Sequence, residues 1–145
     1  MSDKQLTKQD LYEFLDSQIV CTISTNGEDG YPNSATVAFS NNEDLEFVIG
    51  TSVRSRKANN IARDGKVAMT ITDEKKRWTV QLEGDARRLF KDEFEEKYSE
   101  KHYRKLPFSL PFKDIPDQIN FLIIPTHLKL SNVSAHPWQV KEFKK

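Results

Sequence analysis

The sequence holds a single cysteine, Cys21, set in the apolar run Ile19–Ile23. One thiol cannot close an internal disulfide, so a reducing compartment is expected, and Cys21 reads as a buried strand side chain. No apolar segment approaches the ~18 residues of a membrane-crossing helix, and Met1–Thr7 is polar with no apolar signal core. A soluble, cytoplasmic protein is expected, with no membrane partner. Charge of one sign is lacking too: 22 Lys and Arg balance 22 Asp and Glu. No global field draws the chain to nucleic acid, and no basic stripe interleaves with aromatics, so no nucleic-acid partner is expected.

Recognisable catalytic chemistry is equally scarce. There are five glycines, and they form no P-loop, GxGxxG or GxSxG. The three histidines, His102, His127 and His136, have no Cys or His partners at metal spacing, so no metal is expected. Asp92, Glu93, Glu95, Glu96 and Glu100 crowd one helical stretch and read as a solvated face. No isolated carboxylate pair sits in an apolar setting that would raise a pKa. No catalytic residue can be assigned, and any redox chemistry must be borrowed from a cofactor.

What is present reads as one domain over residues 1–145, long enough to bury about two-thirds of its unfolded surface. Thr7 and Asp10 resemble a helix N-cap, and Leu11, Phe14 and Leu15 share one face of a helix over 8–17. Strands are expected at Ile19–Thr25, Asn33–Ser40 and Leu45–Thr51, joined by the turns Asn26–Gly30 and Asn41–Asp44. On the second strand Ala35, Val37 and Phe39 face one way, and the small residues Ser34, Thr36, Ala38 and Ser40 face the other. That small face either lets a ligand approach the backbone or is a polar solvent side. A short helix follows and ends at Asp64-Gly65, with Gly65 expected in the left-handed position. Further strands are expected at Lys66–Thr72 and Trp78–Leu89, the latter bent at Gly84. A charged helix over Lys91–His102, an irregular Pro-rich loop, two short strands around Pro125 and a tail complete the chain. The expected fold is mostly β: a closed or nearly closed split antiparallel barrel of six or so strands, flanking helices, and one helix inserted after the third strand.

The chemistry concentrates between Phe47 and Ala62. An apolar strand ends at Gly50, Thr51 and Ser52 follow, and Arg54, Ser55, Arg56 and Lys57 lead into a helix carrying Ala58, Ile61 and Ala62 on one face. Free N–H groups, the helix dipole and two cations make such a start an anion site. The same residues also suit a solvated helix face.

The order of parts decides how the cluster is read. A helix and strand, the turn Gly30-Tyr31-Pro32, a small-residue strand, a strand ending in Gly50-Thr51, the run Ser55-Arg56-Lys57, and a strand carrying Val80-x-Leu82-x-Gly84 follow in turn. This order resembles the pyridoxamine 5′-phosphate oxidase family, the FMN-binding split β-barrels, well over residues 8–90 and loosely beyond. The resemblance implies FMN as cofactor. Arg56 and Lys57 would hold its phosphate, and Ser55 and Ser52 would add donors. The ring would lie along the backbone of Ser34, Thr36 and Val37, with Gly50 and Thr51 bordering it. It also implies a homodimer with flavin at the subunit interface, where Trp138 would supply an aromatic wall. The implied activity is FMN-dependent hydride or electron transfer. Alternatives within the family are a non-catalytic flavin carrier, sensor or stress-related protein, or use of a deazaflavin or haem. Two departures argue against vitamin B6 phosphate oxidation itself. Ser34 stands where the name-giving oxidase has an arginine, and Thr126–Ser131 lacks its Arg- and His-bearing motif.

Overall fold

In the computed structural model, residues 5–144 are described; Met1–Lys4, most of the polar lead, and Lys145 lie outside them. Helix α1, Lys8–Ser17, begins with the expected cap: Thr7 Oγ1 accepts from the Asp10 N–H (3.1 Å), and the Asp10 carboxylate accepts from the Thr7 N–H (2.8 Å). Its Leu11, Phe14 and Leu15 are buried, and Phe14 meets Trp78 with ring centroids 5.9 Å apart. Strands β1 (Val20–Asn26), β2 (Pro32–Asn41) and β3 (Phe47–Ser52) follow as an antiparallel meander. Next come α2 (Arg56–Arg63), β4 (Lys66–Asp73) and β5 (Trp78–Leu89).

The sheet order is β3-β2-β1-β4-β5-β6-β7, and an added β3–β6 pairing closes six strands into a barrel. Closure removes the exposed strand edges that an open sheet would present. Strand β6, Gln118–Asn132, is one 15-residue strand where two short ones were expected around Pro125. One of its edges pairs with β5 from Asn120 to Asn132. The other edge pairs with β3 up to Ile123 and then with β7, Gln139–Lys144, from His127 onward. The barrel therefore splits at Ile124–Thr126, and Pro125, with no N–H to donate, stands where the partner changes. Thr126 is the bulged residue, since Glu83 pairs with His127 and Gly84 with Pro125. A Cβ on Gly84 would come 2.5 Å from the Ile124 carbonyl oxygen, so this position requires glycine for close approach.

The expected single helix after β5 is broken into α3 (Lys91–Lys97) and α4 (Ser99–Lys105) at Tyr98, whose backbone is not helical (φ −128°, ψ −23°). The break lets the Tyr98 hydroxyl reach the Glu46 carboxylate (3.3 Å). Phe94 packs with Val48, Leu89 and Leu122 on the outer side of the barrel, a cluster separate from the interior core of Ile23, Phe39, Ile49, Met69 and Leu128. A 3-10 turn over Pro107–Phe112 then leads into β6. Gly65 is not left-handed; its backbone lies against Ala86, whose N–H donates to the Gly65 carbonyl (2.7 Å), and a Cβ there would meet Ala86 O at 2.7 Å.

Candidate functional site

The turn from β3 into α2 is built almost wholly from hydroxyls and backbone. Ser52 turns the chain, accepting the Arg54 N–H on its Oγ (3.1 Å) and the Ser55 N–H on its carbonyl (3.0 Å). Ser55 is the N-cap: its Oγ accepts the Ala58 N–H (3.2 Å) and also the hydroxyl of buried Thr51 (3.1 Å). Both acceptor positions of Ser55 are thus filled, and its own hydroxyl proton is left to donate outward. The N–H groups of Arg56 and Lys57, in the first turn, have no acceptor among the described hydrogen bonds, as helix starts leave them.

The three basic side chains of this turn differ. Arg54 pairs with Asp117 (3.3 Å), and Val53 donates to the Asp117 carbonyl (2.7 Å), which ties the turn to the start of β6. Arg56 is exposed and Lys57 half-buried, and neither has an ion-pair partner among the described residues. Two free cations, two free N–H groups and one hydroxyl proton suit a tetrahedral oxyanion such as a phosphate ester.

On β2, Ser34 and Thr36 are exposed on one face while Val37 turns inward against the core. Ser34 Oγ meets Ser24 Oγ of β1 (3.0 Å), and Thr36 faces Thr22, which faces Thr70 of β4. The Ser34 and Thr36 part of the small face expected on β2 therefore continues as hydroxyl side chains across β1 and β4, whereas Ser40 is buried against His102. Beside this hydroxyl face a cleft of about 500 Å³ opens, with Ser24, Lys66, Ala68, Glu83, Gly84 and Asp85 among its lining residues. Gly50 pairs with Asn120 of β6, and a Cβ on Gly50 would stand 2.6 Å from Gln118 Nε2.

The residues from Gly50 to Lys57 are contiguous, and a network absent from the sequence reading joins them to β2. Asn60, not Ala62, faces inward on α2; Ala62 is exposed. The Asn60 amide donates to Thr25 Oγ1 (3.0 Å) and Asn33 Oδ1 (2.8 Å) and accepts from Arg63 (3.1 Å). Only its polarity on an otherwise apolar helix face signalled it. Trp138 stands apart. It is exposed (63%) in the β6–β7 turn, whereas Ser52 pairs with Gln118 at the opposite end of β6. Some 14 strand residues separate the two ends, roughly 45 Å along the strand. Trp138 and the basic turn thus lie at opposite ends of β6.

The family model for pyridoxamine 5′-phosphate oxidase matches residues 7–126. The chain belongs to the pyridoxamine 5′-phosphate oxidase family. Among curated proteins, no sequence matches. Solved structures share the fold at low identity. A haem-binding protein from Mycobacterium smegmatis is 17% identical with a TM-score of 0.78, covering 97% of this chain and 59% of its own. HutZ, the haem storage protein of Vibrio cholerae, is 18% identical with a TM-score of 0.71, covering 84% of this chain and 91% of its own. General stress protein 26 of Bacillus anthracis is 17% identical with a TM-score of 0.74, covering 95% and 98%. This chain thus spans 59% of the mycobacterial protein's length.

Within this family frame the three histidines have distinct surroundings. His102 is buried, with Nδ1 2.7 Å from Ser40 Oγ, and burial together with the Lys105 charge pushes its pKa down to about 4. His127 lies 3.3 Å from Glu142. His136 is exposed in the β6–β7 turn and has no partner among the described residues. No group of three potential metal ligands occurs among the described residues, and no helix there is long and apolar enough to cross a membrane.

Proposed function

We propose that this family member is an FMN-binding flavoprotein, an oxidoreductase of the cytoplasm acting as a homodimer. The observation that carries the reading is the donor set at the start of α2. Arg56 and Lys57 supply unpaired charge, Ser55 a free hydroxyl proton, and the first-turn amides two more donors for the phosphate. Thr51 and Ser52 act indirectly, by shaping the turn and polarising Ser55. The ring would rest on the exposed Ser34–Thr36 face, with Val37 backing it from the core and Gly50 at its border. Bound FMN supplies hydride or electron transfer. The protein's part in this reading is to hold, orient and shield the cofactor. In a homodimer, the second copy would bring its own Trp138 to the site.

The absorbance spectrum of the purified protein tests this, followed by cofactor extraction and by FMN titration of apo-protein. Flavin bands, or thermal stabilisation by FMN, are expected; absence of both overturns the reading. Turnover of NAD(P)H through bound flavin separates an enzyme from a carrier, sensor or stress-related protein. Competition with a deazaflavin checks the flavin type.

A second reading, haem binding, draws on His136, an exposed imidazole with no partner among the described residues, and on the haem-binding protein among the structural neighbours. A Soret band lost in His136→Ala would favour it over FMN.

A further inference from the structure

We infer that Asn60 is a positioning residue that sets the reach between the anion clamp on α2 and strand β2, and thereby the preference for a phosphorylated flavin over its dephosphorylated form. The inference rests on the FMN reading above. Helix α2 has eight residues, too few to be stable alone, and buries only Ala58 and Ile61 as apolar anchors. Apolar contacts are non-directional, so they do not fix how far the helix slides or rolls. Direction comes from the 3%-exposed Asn60 amide. Its two N–H donors meet acceptors on two different strands, Thr25 of β1 and Asn33 of β2, and its oxygen takes Arg63. A hydroxyl side chain has one donor and a carboxylate none, so asparagine is the small side chain that satisfies all three partners.

The bond to Asn33 links the two halves of the site. Asn33 directly precedes Ser34, where the ring would rest, and Asn60 lies one helical turn from Arg56 and Lys57. Arg63 extends the tie to the Asn26 carbonyl (2.7 Å), and Asp64 accepts from the Asn26 amide (2.9 Å), so the helix end is fastened to the same hairpin. A ligand that engages both halves feels the spacing between them. A ligand that engages β2 alone does not.

The test compares FMN and riboflavin binding by flavin fluorescence in wild type, Asn60→Ala and Asn33→Ala. The expected result is a fall of about tenfold in the FMN-over-riboflavin preference in both variants, with riboflavin affinity within about twofold of wild type. Equal weakening of both flavins, or an unchanged preference, overturns the inference, because general destabilisation does not alter the ratio. Hydrogen exchange of the flavin-free protein adds an arm independent of ligand. Asn60→Ala should speed exchange in residues 53–64 while β4 and β5 keep their protection; unchanged exchange there overturns positioning. If wild type shows no preference for FMN, the functional reading fails, and the exchange arm still decides the role of Asn60. Should Asn60→Ala not fold, Asn33→Ala, which breaks the β2 link and leaves the Asn60 bonds to Thr25 and Arg63 in place, carries the binding comparison.

Discussion

Lys105 Nζ lies 3.8 Å above the centroid of the Phe39 ring, inside the seam between α4 and the barrel. It donates to Asn41 Oδ1 (2.6 Å) and to the Leu15 carbonyl (3.1 Å). The neighbouring carboxylate, Asp16, pairs with Lys101. An ammonium held by neutral acceptors and a ring face is poorly compensated for its lost water. Burial pushes the Lys105 pKa down to about 7; Asp16 and Cys21 oppose the shift, and Lys101 reinforces it.

The sign of the pH effect follows. Between about pH 7 and the ordinary lysine value, the unfolded chain binds a proton that the folded chain does not. Stability therefore rises with pH from 7 to 9.5, by at most about 1.4 kcal/mol per unit from this group. Urea denaturation at several pH values measures it, and Lys105→Met should flatten the rise. Equal slopes in the two proteins would show that Lys105 stays protonated.

On the acid side the expected contributor is His102. Its ring is enclosed by Phe94 (5.5 Å) and Tyr103 (5.4 Å) and bonded to Ser40. Burial, with the Lys105 charge adding to it, holds it neutral down to about pH 4. Below pH 6.5 the unfolded chain takes up a proton that the folded chain refuses, so stability falls from pH 6.5 toward 4, again by at most about 1.4 kcal/mol per unit. His102→Gln keeps a polar partner for Ser40 but cannot titrate. It should cost about 1 kcal/mol at pH 7 and show a shallower acid limb. An unchanged limb would place the acid sensitivity in the carboxylates.

Gly84 makes a sharper packing prediction. Its missing Cβ would stand 2.5 Å from Ile124 O and 2.8 Å from the Pro125 Cα, both backbone atoms at the barrel's split. Gly84→Ala must push β5 from β6 at the bulge, at a cost of about 1–3 kcal/mol in urea denaturation. A near-neutral result would mean the bulge yields freely.

The strands up to β5 were legible because alternation and turn residues act locally, as in Val67, Met69 and Ile71 against Ala68, Thr70 and Thr72. Beyond β5 the determinants are distant. Pro125 reads as a strand breaker, yet β5 on one side and two successive partners on the other carry β6 through it. Tyr98 lies in a run of helix formers and breaks the helix to reach Glu46, 52 positions earlier. At the site, Ser55, Arg56 and Lys57 were legible as a chemical cluster. Asn60 was not, because its partners Thr25 and Asn33 lie 35 and 27 residues away.

The basic cluster itself supplies the last prediction, which turns on the difference among its three cations. Arg54 is paired with Asp117, and its side chain is 83% exposed, where ion pairs and single charges are worth about 0–1 kcal/mol. Arg56 and Lys57 have no ion-pair partner among the described residues, and at the helix start a phosphate would also meet the first-turn amides and the Ser55 hydroxyl. Arg56→Ala and Lys57→Ala should each weaken FMN by roughly 1.5–3 kcal/mol, about 10- to 150-fold, and leave riboflavin unchanged. Arg54→Ala should cost less than about 1 kcal/mol. Fluorescence titration at low and high salt reads all three. Equal losses at Arg54, Arg56 and Lys57, all erased by salt, would mean a diffuse positive field rather than a clamp. No loss at Arg56 and Lys57 would move the phosphate to another part of the molecule.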